Sequence, residues 1–118
     1  MSRADRRAGY LIVTAAVALG LMLSSTARVA GATPSSATHT VVIEGVRFDP
    51  PLLTVKAGDT IVWINHDPFP HTATALGRQF DSHEIAAGRS WKYTARKAGV
   101  YAYACTLHPN MTATLRVE

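Results

Sequence analysis

The chain has 118 residues, enough for one modest domain. Its formal charge of +4 comes from 12 basic and 8 acidic side chains, spread unevenly. Four of the basic residues and one acidic residue fall within positions 1–32; the eight against seven that remain exclude a nucleic-acid-binding footprint.

The opening segment has the order of an export signal. Arg3, Arg6 and Arg7 precede an apolar run from Tyr10 to Leu23, and small residues then lead to Ala30-Gly31-Ala32. A charged start, an apolar middle and an Ala-x-Ala end predict a secretory signal peptide over 1–32, cleaved after Ala32. An uncleaved anchor is the alternative, although the run is shorter than the ~20 residues a spanning helix uses. Arg6-Arg7 leaves both the general secretory and the twin-arginine routes open. The expected destination is the periplasm or another exported location.

Residues 33–39 read as a flexible lead-in with His39 solvated, and 40–118 as the folded domain. Every later segment carries strand signals. Thr40 to Ile43 is β-branched, Leu53 and Val55 alternate with polar neighbours, and Thr60 to Ile64 is continuously apolar. Thr72 to Ala75 follows His71. Trp91 and Tyr93 share one parity, as do Tyr101, Tyr103 and Cys105, and Leu115 and Val117. Pro50-Pro51, Gly58-Asp59, Gly88 and Gly99 punctuate these runs, and no sustained helical period is present. Short strands at this spacing predict an all-β fold, a Greek-key antiparallel β-sandwich. If Tyr101 and Tyr103 face the core, Cys105 aims its sulfur inward at one end, with His108 and Met111 on the loop that leaves the strand.

The most informative stretch is Cys105-Thr106-Leu107-His108-Pro109-Asn110-Met111. It places a thiolate, an imidazole and a thioether three residues apart, and a second imidazole, His71, lies upstream in Pro68-Phe69-Pro70-His71-Thr72. Two histidines, one cysteine and a weak axial methionine form the ligand set of a blue-copper electron-transfer site. Zinc would more often have Cys or His in place of the thioether. Two other readings compete. Cys105 and Met111 could be core filler, or Cys105 with His108 or His71 could be a nucleophile and its base. The second leaves Met111 unexplained. Copper would also account for an unpaired cysteine in an exported chain, where free thiols are otherwise oxidised. His66 and His83 read as surface residues, with an auxiliary copper site as their less favoured role.

Residues 40–118 resemble the small blue-copper proteins, the cupredoxins, and within them the amicyanin group. The resemblance is carried by Val62-Trp63-Ile64-Asn65 with Pro70-His71, by Gly99-Val100-Tyr101-Ala102-Tyr103-Ala104-Cys105, and by the two-residue gap between His108 and Met111. It implies a sandwich carrying one type 1 copper ion, with His71, Cys105, His108 and Met111 as ligands. Ala104, Ala113 and Thr72 depart from the family's usual residues around the site. Asn65 is the candidate to bridge the two ligand loops, with an ordinary turn residue as the alternative. Phe69, Pro68, Pro70 and Pro109 flank the two histidines and predict an apolar docking patch.

The expected function is that of an exported, monomeric carrier of single electrons, not an enzyme. The resemblance implies a c-type cytochrome and a quinoprotein dehydrogenase as redox partners. A periplasmic copper-handling protein, a chaperone or scavenger, is the alternative; the single methionine after Ala32 counts against it.

Overall fold

The computed structural model describes Ala16, Gly20, Ser24 and residues 36–118. The signal-peptide reading of 1–32 lies outside the described residues, apart from those three positions, as do residues 33–35 of the lead-in. The chain divides into two units, and all the strands belong to the second, Ala32–Glu118.

The described residues form eight strands in two sheets. They are β1 (Thr38–Ile43), β2 (Phe48–Asp49), β3 (Leu52–Val55), β4 (Thr60–Asn65), β5 (Thr74–Ala75), β6 (Ser90–Thr94), β7 (Gly99–Cys105) and β8 (His108–Val117). One sheet has the order β2-β1-β4-β6, the other β3-β8-β7-β5. There is no helix among the described residues. The all-β sandwich expected from the strand pattern is present, and each sheet is mixed. β1 pairs β4 in parallel and β3 pairs β8 in parallel, while the remaining pairs are antiparallel. The cause is the path of the chain. After β2 it crosses to the other sheet for β3, and on returning it runs alongside β1 in the same direction.

Period-two alternation sends one residue in two into the space between the sheets. On β4, Ile61, Trp63 and Asn65 are buried while Thr60, Val62 and Ile64 are half-buried. The two apolar ones meet Val41, Ile43, Val55, Tyr103, Leu115 and Val117 in one core. Tyr103 and Cys105 are fully inside, as their parity predicts, whereas Tyr101 is half-buried and its hydroxyl donates to the Lys97 carbonyl at 2.6 Å.

The lead-in is shorter than the sequence suggests. β1 starts at Thr38, and His39 pairs with Ile61 in the parallel register. Its side chain is held by Asp59 (Nε2 to Oδ2, 2.9 Å), so His39 is not a freely solvated residue. Asp59 also accepts the amides of Ala37 and Lys56 at 2.9 and 3.0 Å. These backbone donors, with His39, outweigh the effect of burial and lower its pKa from 3.8 to about 2. A carboxylate whose folded pKa lies below its unfolded one contributes stability above the unfolded value and loses it as pH falls through the folded value. The melting temperature should therefore fall between about pH 4 and pH 2, and Asp59→Asn should flatten that fall. Thermal unfolding of both proteins across this range checks it; parallel curves would remove Asp59 from the account.

The β1–β2 connection bears on the site. Glu44 N–H donates to the Arg47 carbonyl at 3.1 Å, and the two residues between, Gly45 and Val46, have φ of 62° and 57°. Glycine accepts the left-handed region freely, but a β-branched valine there is strained. Asp67 holds this turn by accepting both amides, at 2.7 and 2.9 Å.

Candidate metal centre

His71 lies in the β4–β5 connection and Cys105 at the end of β7, and the two meet at one end of the sandwich. Thr72 and Ala73 follow His71 into the short strand β5, and the backbone of His71 exchanges hydrogen bonds with Ile85 (3.1 and 2.7 Å) in an isolated bridge. Cys105 ends β7 in a register irregularity between Ala104 and Cys105. β8 begins at His108, so only Thr106 and Leu107 form the turn, and His108 and Met111 belong to a strand, not to a free loop as the sequence suggested. Pairing of Cys105 with His108 across this turn is what sets the ring beside the sulfur.

The donors converge. Cys105 Sγ lies 3.6 Å from His71 Nδ1 and 3.7 Å from His108 Nδ1, and all three ligand atoms fall within 4.8 Å of one another. Imidazole and thiolate bonds to a first-row metal are about 2.0–2.3 Å long, and three of them spread trigonally hold their donors about 3.7 Å apart. The spacing therefore fits one small ion, and two imidazoles with one thiolate are donors that suit copper. His71 and Cys105 are completely buried, His108 is half-buried, and Met111 is buried on β8 three residues beyond His108. Met111 also lines a cleft of about 540 Å³ with Asn110, Thr112 and the Gly45–Val46 turn.

Both nitrogens of His71 are committed. Nδ1 faces the sulfur, and Nε2 meets Asp67 Oδ2 at 2.7 Å. Burial pushes the Asp67 pKa up, but the amides of Val46 and Gly45 and the His71 ring outweigh it, leaving the pKa below its ordinary value. An ionised carboxylate accepts only, so the proton resides on Nε2 and Nδ1 keeps its lone pair for a metal. Such carboxylate–imidazole pairs orient a ligand and raise its basicity.

Asn65 is fully buried but does not bridge the two ligand segments. Its Nδ2 donates to the carbonyls of Phe69 (2.8 Å) and Ile85 (2.9 Å), and its Oδ1 accepts the Asp67 amide at 2.9 Å. It ties the turn before His71 to Ile85. The bridge is Thr72, whose amide donates to Cys105 Sγ at 3.3 Å and whose hydroxyl meets Thr106 Oγ1 (3.2 Å) and Thr106 N (2.9 Å). Sequence reasoning missed Asp67 and saw Thr72 only as a departure. A carboxylate four residues before a candidate histidine was the available signal for Asp67. His66 and His83 are exposed and lie outside the donor set.

The rim is apolar. Phe69 is 40% exposed, with its ring 5.1 Å from His71 and 5.7 Å from His108. Pro68, Pro109 and Leu107 are exposed nearby in sequence, and Pro70 is half-buried.

Known proteins share this arrangement of strands. The family model of the cupredoxin-like domain matches residues 12–117. Amicyanin of Paracoccus denitrificans is 35% identical over 83 residues, which are 66% of this chain and 63% of that protein. The match thus spans a little under two thirds of that relative's length. A solved structure of an amicyanin variant in the Cu(I) state superposes with a TM-score of 0.64 at 31% identity, covering 69% of this chain and 82% of that one. A Cu-containing nitrite reductase from Thermus scotoductus superposes with a TM-score of 0.65 at 29% identity, covering 69% of this chain and 22% of that one.

Proposed function

This chain belongs to the cupredoxin-like family, and on that premise we propose that it is an exported electron-transfer protein that carries one electron at a time on a type 1 copper ion. His71, Cys105, His108 and Met111 would hold the metal. The observation that carries the reading is the convergence of two imidazole nitrogens and one cysteine sulfur beside an apolar rim. When bound, copper supplies the Cu(I)/Cu(II) couple.

The residues explain why such a couple would be fast. Asp67 fixes the tautomer of His71, Ile85 holds its backbone while Asn65 anchors the Ile85 carbonyl, and Thr72 ties the sulfur-bearing turn to the histidine-bearing one. A donor set held this firmly moves little between oxidation states, and little reorganisation means a low barrier to electron transfer. Deep burial of Cys105 keeps water from the sulfur, while half-buried His108 brings one ligand edge to the surface.

No catalysis is assigned to the chain. The nitrite reductase it resembles is matched over 22% of its length, the scale of one domain within a larger enzyme. The proposed redox partners are a c-type cytochrome or a quinoprotein dehydrogenase, meeting a monomer through a small apolar contact at the rim.

Electron self-exchange between oxidised and reduced copies tests both the carrier and the docking face. The wild type should cycle reversibly, and NMR line broadening in mixed samples should report rapid exchange. Phe69→Glu places a charge on the contact and should slow exchange about tenfold or more, with the visible spectrum nearly unchanged. A copper protein that cannot be reversibly reduced would sink the carrier reading; an unaffected exchange rate would move the docking face elsewhere.

Export has its own test. The exported protein should begin at Thr33, and its intact mass should correspond to residues 33–118. Recovery of the uncleaved chain from membranes would favour an anchor.

A further inference from the structure

Outside the donor set, the domain is densest in aromatic rings. Tyr103 stands two residues before Cys105 on β7 and packs against Phe48, Trp63 and Phe80 with centroid separations of 4.7, 5.7 and 5.7 Å. Trp63 lies directly opposite Trp91 in the β4–β6 register, their rings 5.4 Å apart. Trp91 stacks on Tyr93 at 6.0 Å and 12°. Trp63 and Tyr103 are fully buried, whereas Trp91 and Tyr93 are half-buried on β6, an edge strand. An unbroken run of rings thus leads from the strand that carries the sulfur to the edge of the opposite sheet.

We propose that Trp91 and Trp63 form a hole-transfer relay, through which a one-electron oxidant arriving at the β6 edge is reduced at the expense of the reduced copper site. It would be a second port for electrons, on β6 and not on the connections that carry Phe69 and Leu107. The inference rests on the copper reading above.

Electron tunnelling slows steeply with distance, so two short hops outrun one long step. Indole is the side chain suited to them, because its radical cation forms without loss of a proton. A buried phenol must shed its proton when oxidised, and the Tyr103 oxygen is engaged as acceptor of the Trp63 N–H at 3.3 Å. Phenylalanine is harder still to oxidise. The two indoles therefore carry the charge, and Tyr103 and Phe80 pack the space between them and β7. In the sequence of steps, Trp91 gives one electron to the oxidant, Trp63 refills Trp91, and Trp63 is refilled from Cu(I). The sum is one oxidant reduced by one electron and one Cu(I) converted to Cu(II), with no proton exchanged.

Phenylalanine keeps most of the ring bulk and removes the oxidisable indole; at Trp63 it also releases the bond to the Tyr103 hydroxyl, so Trp91→Phe is the cleaner separation of packing from relay. A ruthenium polypyridyl photo-oxidant can be attached through Lys92→Cys, an exposed site between Trp91 and Tyr93, after copper loading has engaged Cys105. A flash with an external quencher then generates the oxidant at the β6 edge of the reduced protein. The visible Cu(II) absorption should rise quickly, and Trp91→Phe and Trp63→Phe should each slow the rise about tenfold or more. Tyr101→Phe, off the run, should leave it unchanged.

In the metal-free protein the hole has no donor to refill it. A tryptophan radical should then persist in the EPR spectrum, and Trp63→Phe should change that spectrum by confining the radical to Trp91. Unchanged rates in both tryptophan variants, or a metal-free radical indifferent to Trp63→Phe, would overturn the relay. A protein that never gains the visible band would instead count against the copper reading, and the metal-free arm would still judge the relay.

Discussion

Replacing Cys105 with serine should abolish the blue colour of the copper-loaded protein. The intense visible band of a type 1 site is charge transfer from a thiolate to Cu(II), and a serine hydroxyl is neither a soft donor nor ionised at neutral pH. The substitution is nearly isosteric, and the Thr72 amide that donates to Sγ at 3.3 Å would find an oxygen acceptor in its place. The fold should therefore survive, with an unchanged far-ultraviolet circular dichroism spectrum, while the visible absorption disappears and copper affinity falls. The wild type decides the matter as much as the variant. A correctly folded wild-type protein that binds Cu(II) without colour would refute the type 1 assignment.

Asn65→Ala should cause the largest loss of stability among the polar residues around the site. The amide is fully buried and serves three backbone groups, the carbonyls of Phe69 and Ile85 and the N–H of Asp67. Alanine removes all three partnerships and leaves a small void. A buried group left unpaired costs about 1–3 kcal/mol, and partial relaxation should bring the total to roughly 2–4 kcal/mol. Urea unfolding of the metal-free protein should show the midpoint falling by about 1 M or more at unchanged slope. The consequence for function follows from position. Phe69, Asp67 and Ile85 are the groups that set the rim, the Nε2 partner and the backbone of His71, so copper affinity should fall as well. A loss below about 1 kcal/mol would mean that water takes over the role of the amide.

Much of this architecture is legible locally. Alternation in Thr60–Asn65 and Gly99–Cys105 marks strands because a pleated backbone turns every second side chain to the same face, whatever it pairs with. The identity of the donors is legible for a similar reason, since Cys105 and His108 are brought together by a two-residue turn between paired strands. Other features are invisible at that range. His39 looks solvated beside a polar lead-in, yet it joins β1 and binds Asp59, 20 residues away. Asn65 reads in the sequence as a bridge between the two ligand loops or as a turn residue, but its partners are Phe69, Ile85 and Asp67, none of them on the sulfur-bearing turn.

Strand content, the inward parity of Cys105 and the donor types that converge with His71 are written in the local order of residues. Short-range periodicity and spacing are sufficient for these. The folded arrangement is what lets Asp67 hold both the Gly45–Val46 turn and the outer nitrogen of His71, and lets Thr72 lock the sulfur-bearing turn from 33 residues upstream. It also sets the parallel pairing of β1 with β4 and of β3 with β8. The physical reason is common to all of these. A hydrogen bond or a strand register between distant segments depends on how the chain crosses between sheets, and no local pattern of residues encodes that crossing.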